Sequence, residues 1–423
     1  MNNFLAKTKL VLQDKILRQR ILFTLVALAV FRLFSVIPIP GVDALKLEQF
    51  FSGNQFLGLL DVFSGGGLST LSIVMLGVGP YITASIIMQL LTIMSPKLKA
   101  IYHEEGEAGR KRFAQYSRLL TVPLALIQAF GFLLLLEKQG VVPGLETFGF
   151  VTNIMVIVGG SILLTWLGEL ITEFGIGNGV SLIIFAGIVA RVPVAISQLS
   201  FTFEVSQIPV YLAFLIIGLL VIVGVVIITE AERPVPITYA KRVRGMKMYG
   251  GLSTYLPLRI NQGGVIPIIF ALSILLFPQM IFTFLANTGN PIVVSISTFM
   301  VQLLSQVWLY ALLYFILVVL FTYFYTAVTF EPESIATNLQ KGGAFIPGVR
   351  PGQSTTEYLA KIVTRITLVG AVFLGVIAVL PLAVRAFTGI SALAIGGTAL
   401  LIVVSVALDL IKKIDAQISM REY

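Results

Sequence analysis

Ten stretches rich in Leu, Ile, Val and Phe alternate with polar connections along the chain: residues 21–38, 72–94, 118–136, 151–172, 179–200, 208–229, 264–286, 303–326, 362–384 and 391–411. About 30 Å of hydrocarbon, at 1.5 Å rise per residue, needs roughly 20 residues of helix. Each stretch is therefore read as a membrane-crossing helix. A lone strand or bare loop in lipid leaves backbone N–H and C=O groups unpaired, so helix is the conformation that a single segment can adopt there. The pattern predicts an all-α polytopic membrane protein with ten spans. The first stretch follows a basic lead and contains an A-x-A at 27–29, but its apolar run continues to the I-P-I-P of 37–40. A cleaved signal has an apolar core of only about 7–15 residues, so 21–38 is expected to be a permanent span.

Composition agrees: 57% of the 423 residues are hydrophobic and 12% charged, with mean hydropathy +0.97. A soluble domain carries roughly 25% charged residues. The charges that remain are asymmetric. The connections at 1–20, 95–117, 230–260, 327–361 and the tail after 411 hold 22 of the 29 Lys and Arg residues. The alternate connections hold four: Lys46, Lys138, Arg191 and Arg385. Basic loops stay in the cytoplasm, so both termini are expected there, as an even number of spans requires. The connections 230–260 and 327–361 are long and punctuated by Pro and Gly. Helix neighbours need only about 2–8 linking residues, so these loops are read as partner-binding surfaces, or else as charged loops that only set topology.

Several chemistries are excluded. With no cysteine there is no disulfide, thiol nucleophile or thiolate metal site. The single histidine, His103, lies in a polar connection and is read as a solvated residue. No Gly-Lys pair exists, so no P-loop binds nucleotide, and no HExxH, G-x-S-x-G or paired intramembrane aspartates occur. An enzyme is not expected, and no cofactor or metal. Ion-coupled carriers keep ionisable groups deep in their spans; here Arg32 is the one charge placed deep in a span. The reading is a passive conduit driven by another protein. A secondary transporter with inverted repeats is the alternative, and a poreless scaffold or insertase a third.

The halves echo each other. Gly77-Val78-Gly79-Pro80 opens the second span and Gly264-Val265-Ile266-Pro267 the seventh, each the second of five. Because five is odd, the second half is inverted relative to the first, and such interrupted spans point to a pathway between the halves.

Eight stretches in order resemble the SecY/Sec61α protein-conducting channel family in its bacterial form. They are Ile37–Asp43 (IPIPGVD), Phe63–Ser69 (FSGGGLS), Gly79–Gln89 (GPYITASIIMQ), Gly175–Ser181 (GIGNGVS), Ala231–Ile237 (AERPVPI), Gly263–Pro267 (GGVIP), Gly343–Pro351 (GAFIPGVRP) and Gly396–Thr398 (GGT). The resemblance implies ten helices in two inverted five-helix halves around an hourglass pore with a side opening to lipid. The halves would be residues 21–200 and 201–411, between a cytoplasmic segment 1–20 and a tail 412–423. Secretory proteins would be threaded across, and membrane-protein segments released sideways.

The same resemblance implies site residues. A ring of apolar side chains would fall on Val78, Ile82, Val180, Ile184, Ile269 and Ile402, with Val78 and Val180 standing where bacterial relatives commonly carry isoleucine. A narrow apolar constriction dewets and blocks ions, yet gives a passing chain nothing polar to bind. Taken without the family register, these six are ordinary packing residues. Residues 58–70, with Phe63, Ser64, Gly65, Gly66, Gly67 and Leu68, resemble the plug, a short helix beneath the ring. Thr83, Gln89 and Asn261 match polar positions of a lateral gate between the second and seventh spans. Arg244 and Arg350 match docking positions for the ribosome, through rRNA, or for the SecA ATPase. Other implied partners are SecE, SecG, signal peptides, nascent chains and membrane lipids, in the bacterial cell membrane.

Overall fold

The computed structural model describes residues 14–40, 61, 64–138, 140–142, 146–194, 197, 208–239, 242–244, 247–249, 253–286, 290–388 and 396–419. The spans are α1 (Lys15–Phe34), α2 (Gly79–Met94), α4 (Gly106–Lys138), α5 (Thr147–Phe174), α6 (Gly179–Val189), α7 (Ile208–Glu230), α8 (Ile266–Leu285), α10 (Val307–Thr329), α12 (Gln353–Thr388) and α13 (Gly396–Ser419). Shorter helices α3 (Pro96–His103), α9 (Pro291–Ser305) and α11 (Pro332–Lys341) lie between them. The ten-span architecture is that of the sequence pattern. Among the described residues, five helices are by themselves long and apolar enough to cross a bilayer, and six if the bent pair α2–α3 is one span.

Local chemistry starts and stops the helices. Asp14 caps α1, its carboxylate accepting from the Ile16 N–H at 2.9 Å and the Leu17 N–H at 3.4 Å. Asn178 caps α6 by accepting from the Ser181 N–H at 3.2 Å. Pro stands in the first turn of α2, α3, α9 and α11, where its missing N–H costs no helical bond. α1 ends at Phe34, four residues before the stretch expected to continue to 38, because Pro38 and Pro40 restrict the backbone before them. There Ile37–Ile39 runs beside Leu71–Ile73, with Ile39 N–H donating to Leu71 O and Ile73 N–H to Ile37 O.

The second span is shorter than expected: Ser72 is bridged to Pro38, residues 73–78 are turns, and helix begins at Gly79. Gly77 has φ +58°, and its counterpart Gly264 also has φ +58°. Each is followed two residues later by the first helical residue, and each helix carries its proline at the second position. The four-residue echo between the halves is thus one backbone device used twice. An L-residue with a side chain resists that φ, which makes glycine the natural choice at both places. A further difference is α9, which lies between the seventh and eighth spans and is too short to cross a bilayer alone; the chain then breaks at the extended Gln306 before α10.

The two long connections fold together. β1 (Glu232–Tyr239) pairs antiparallel with β4 (Ser253–Arg259), and β5 (Ala344–Phe345) adds to the other edge of β1. A hairpin of β2 (Arg242–Arg244) and β3 (Lys247–Tyr249) extends from the β1–β4 pair. Val235, Leu258 and Ile346 pack with Leu359 and Val363 at the foot of α12, fastening the sheet to the ninth span. At the same end, Leu17 of α1, Ile176 before α6 and Ile418 of α13 form one apolar cluster. The start of the first span and the end of the last therefore share one end of the bundle.

Candidate functional site

A central apolar cluster draws on both halves. Val78, Ile82, Ile184, Ile269 and Ile402 are all buried in it, and Val180 packs against it partly exposed. The six positions expected to act together thus come from α2, α6, α8 and α13 into one body of packed side chains. Val180 is the least enclosed, one methyl lying 3.2 Å from where a Cβ on Gly168 of α5 would stand. Ile184, Ile269 and Ile402 also reach a cavity of about 270 Å³ that opens toward the sheet end. Its wall is polar above them, with Asn178, Ser181, Asn261, Gln262 and Ser405, and charged at Arg259, Asp409, Lys412 and Lys413. The path from the sheet end thus passes from wet, charged walls to a dry apolar floor.

Beyond that floor lies the glycine-rich loop. Residues 64–70 are consecutive turns, so the short helix expected within 58–70 does not extend over them; Asp61 is helical, and 58–60, 62 and Phe63 lie outside the described residues. Gly65 and Gly66 have φ +72° and +85°, a conformation that suits turns and resists helix. Gly65 sits against α6 so closely that a Cβ on Gly187 would stand 2.1 Å from its Cα, and a Cβ on Gly65 itself would stand 2.6 Å from the Phe31 ring of α1. Leu68 is buried with Leu71, Met75, Leu133 and Ile157. Leu71 has φ +41°, the one positive value outside glycine among the described residues, held where its N–H donates to Leu68 O and its carbonyl accepts from Ile39.

The loop is organised by Asp61, which is fully buried. Its Oδ1 accepts from the Ser69 N–H at 2.8 Å and the Ser64 hydroxyl at 3.3 Å, and its Oδ2 faces the Arg191 guanidinium in an ion pair. Arg32 donates to the Gly65 carbonyl at 3.4 Å and to the Ser35 hydroxyl at 3.3 Å. The charge that stood out deep in the first span is therefore at the edge of this loop. Asp61, Gly187 and Arg191 were not singled out from the sequence. One signal was readable: Val180, Ile184, Gly187 and Arg191 follow at spacings of four, three and four, which is one helix face.

The three polar positions between the halves bond locally. Thr83 donates to the Gly79 carbonyl at 3.1 Å, Gln89 to Ser85 Oγ at 3.3 Å and Asn261 to the Gly264 carbonyl at 3.2 Å. Each of these bonds stays within its own segment of the chain. α2 meets α8 there, and an exposed ion pair from Lys99 of α3 to Glu331 at the entry to α11 joins the two sides at 3.2 Å. Asn261 Oδ1 is buried with no hydrogen-bond partner among the described residues.

Arg350 is exposed, between Gly348 (φ +83°) and Gly352 (φ +97°), while its neighbour Val349 packs into the sheet's apolar cluster. Arg244 ends β2, opposite Lys247 at the turn of the hairpin.

The SecY family model matches residues 72–411. The chain is 43% identical over 418 residues to the protein translocase subunit SecY of Thermotoga maritima, covering 96% of this chain and 94% of that one. It is 41% identical over 430 residues to the subunit of the same name from Mycobacterium bovis, covering 96% of each. Among solved structures it is similar to a SecY whose plug domain is described as stabilising the closed state of the translocation channel and maintaining a membrane seal, with TM-score 0.67, 20% identity and coverage of 97% and 95%. It is also similar to Sec61 in the canine ribosome-channel complex from the endoplasmic reticulum, with TM-score 0.65, 18% identity and the same coverage. The family model spans most of the chain and the relatives nearly all of it, on a fold of ten spans in inverted halves: this chain belongs to the SecY family.

Proposed function

We propose that the chain is the central pore-forming subunit of the Sec protein translocation channel. It passes unfolded secretory proteins across the membrane and releases membrane-protein segments sideways into lipid. One observation carries this reading: a polar-walled cavity ends on Ile184, Ile269 and Ile402, and the glycine-rich loop is seated about one helical turn further along α6. Such a sequence of wet funnel, dry constriction and movable stopper excludes ions at rest and offers a polypeptide no sticking point.

In this reading Val78, Ile82, Val180, Ile184, Ile269 and Ile402 are the ring, and 58–70 the plug. The α2–α8 seam, with Thr83, Gln89 and Asn261, is the lateral gate. The basic asymmetry supports a cytoplasmic sheet end and cytoplasmic termini, in the bacterial cell membrane. Residues 21–200 and 201–411 are the two halves. SecE and SecG are membrane partners, and signal peptides and nascent chains the cargo. Arg350 and Arg244 dock the SecA ATPase or ribosomal RNA, since a guanidinium fork suits carboxylate and phosphate alike.

Reconstitution with SecE and SecA in liposomes tests the assignment. ATP-driven import of a preprotein is the expected result. Uptake of a small solute without preprotein import would overturn it in favour of a secondary transporter.

A further inference from the structure

The fifth span carries one continuous functional face. Val180 and Ile184 belong to the constriction, Gly187 is the bed on which Gly65 lies, and Arg191, just past the helix end, meets Asp61. Each step is three or four residues, so all four project to one side over about 16 Å.

Asp61 is unusual for its surroundings. It is fully buried in a region built from apolar side chains and glycine, where an uncompensated carboxylate is costly. Its two oxygens have separate duties. Oδ1 serves the loop itself, accepting from Ser69 and Ser64. Among the described residues Oδ2 makes no hydrogen bond within the loop, and it is turned to Arg191, outside it. Arg191 is itself 30% exposed just past the end of the fifth span, so the pair joins a fully buried carboxylate to a partly open guanidinium. Arg32 approaches the same turn from α1 and holds the Gly65 carbonyl. Gly66 lies beside both arginines, and a Cβ there would meet Arg32 Nη1 at 3.4 Å and Arg191 Cδ at 3.9 Å in ordinary contact, so what the glycine supplies is its φ of +85°.

We propose that Asp61 and Arg191 form a charge latch that positions the glycine-rich loop against the constriction, with Arg32 as a weaker second clasp, and so set how tightly the resting channel is shut. The inference rests on reading 58–70 as the plug. The location makes the latch reversible. When the loop swings out, carboxylate and guanidinium both move into water, so neither is left buried alone, which is the state that makes breaking an interior ion pair costly. An apolar seat holds the loop by area alone; the ion pair adds direction and fixes which face of the loop meets α6.

Resting ion conductance of the SecE-bound channel in planar bilayers tests this. Arg191→Gln and Asp61→Asn are each expected to raise it about tenfold and to admit preproteins with weakened signal sequences. Association with SecE and import of an intact preprotein should persist. Arg191→Gln alters a partly exposed side chain and so stays informative if Asp61→Asn does not fold. Because the chain has no cysteine, Asp61→Cys/Arg191→Cys joined by a short bismaleimide supplies a readout that a packing role would not give. The joined channel is expected to lose import at least tenfold while remaining ion-tight, and the unjoined double variant to leak. Deletion of 64–70 separates the two ideas. If the deletion leaks but both single variants stay as tight as the parent, the latch is wrong and the plug reading stands. If the deletion also stays tight, the plug reading fails and the latch with it.

Discussion

At the scale of single residues, the proposed constriction rests on side chains that are stiff and apolar. Ile and Val have few χ1 choices, so a ring of them holds a defined aperture. Ile269 and Ile402 are buried in the central cluster and reach the cavity from the seventh and tenth spans. Replacing either with Asn puts an amide where water is excluded. A loss of about 1–3 kcal/mol is typical for polarising such a contact, and about 1.4 kcal/mol shifts a closed-to-open equilibrium tenfold. Ile402→Asn and Ile269→Asn are expected to leak ions at rest in single-channel recordings, and Ile274→Asn, elsewhere in the seventh span, to leak less. The reverse order would place the ring on other residues. These positions were accessible through motif register. Asp61 was not, because nothing near it in the chain announces Arg191, 130 positions away.

At the scale of elements, the sheet supplies a firm mount for the proposed docking residue Arg350. Arg350 is exposed on a turn whose neighbour Val349 is packed into the cluster that holds β1 and β4 to α12. A guanidinium on such a mount loses little further freedom on binding. Arg350→Glu is expected to cut SecA-driven preprotein import by about 10–100-fold, the equivalent of the 1.5–3 kcal/mol of a hydrogen bond to a charged group. The channel should fold and bind SecE normally. Arg350→Lys should be impaired as well, because the ammonium lacks the planar fork. Full import by Arg350→Glu would remove this residue from the docking surface. The strands themselves were not legible. β1 contains Pro234 and Pro236, which argue against a strand; they are accommodated because β5 pairs with β1 only at Thr238 and Tyr239, leaving the neighbouring edge without a ladder partner.

At the scale of the whole molecule, orientation and inversion set what each end does. Cysteines introduced at Ser253 and Gln353, both exposed on the sheet end, are expected to react with an impermeant maleimide only from the cytoplasmic face. Labelling of either in intact cells from outside would reverse the topology. Sequence alone determined the solvent, the number of spans, the charge asymmetry and the four-residue echo around Gly77 and Gly264, since all are properties of short windows read against lipid or against one another. Only the tertiary structure decided that two separate loops make one sheet, that residues 64–70 are turns seated on Gly187, and that the three polar seam residues bond within their own segments. It also decided that Arg32 and Arg191, from different spans, converge on the loop organised by Asp61. Those contacts join positions far apart in the chain, and in a bundle whose spans are almost uniformly apolar, local hydrophobicity carries no record of which face meets which.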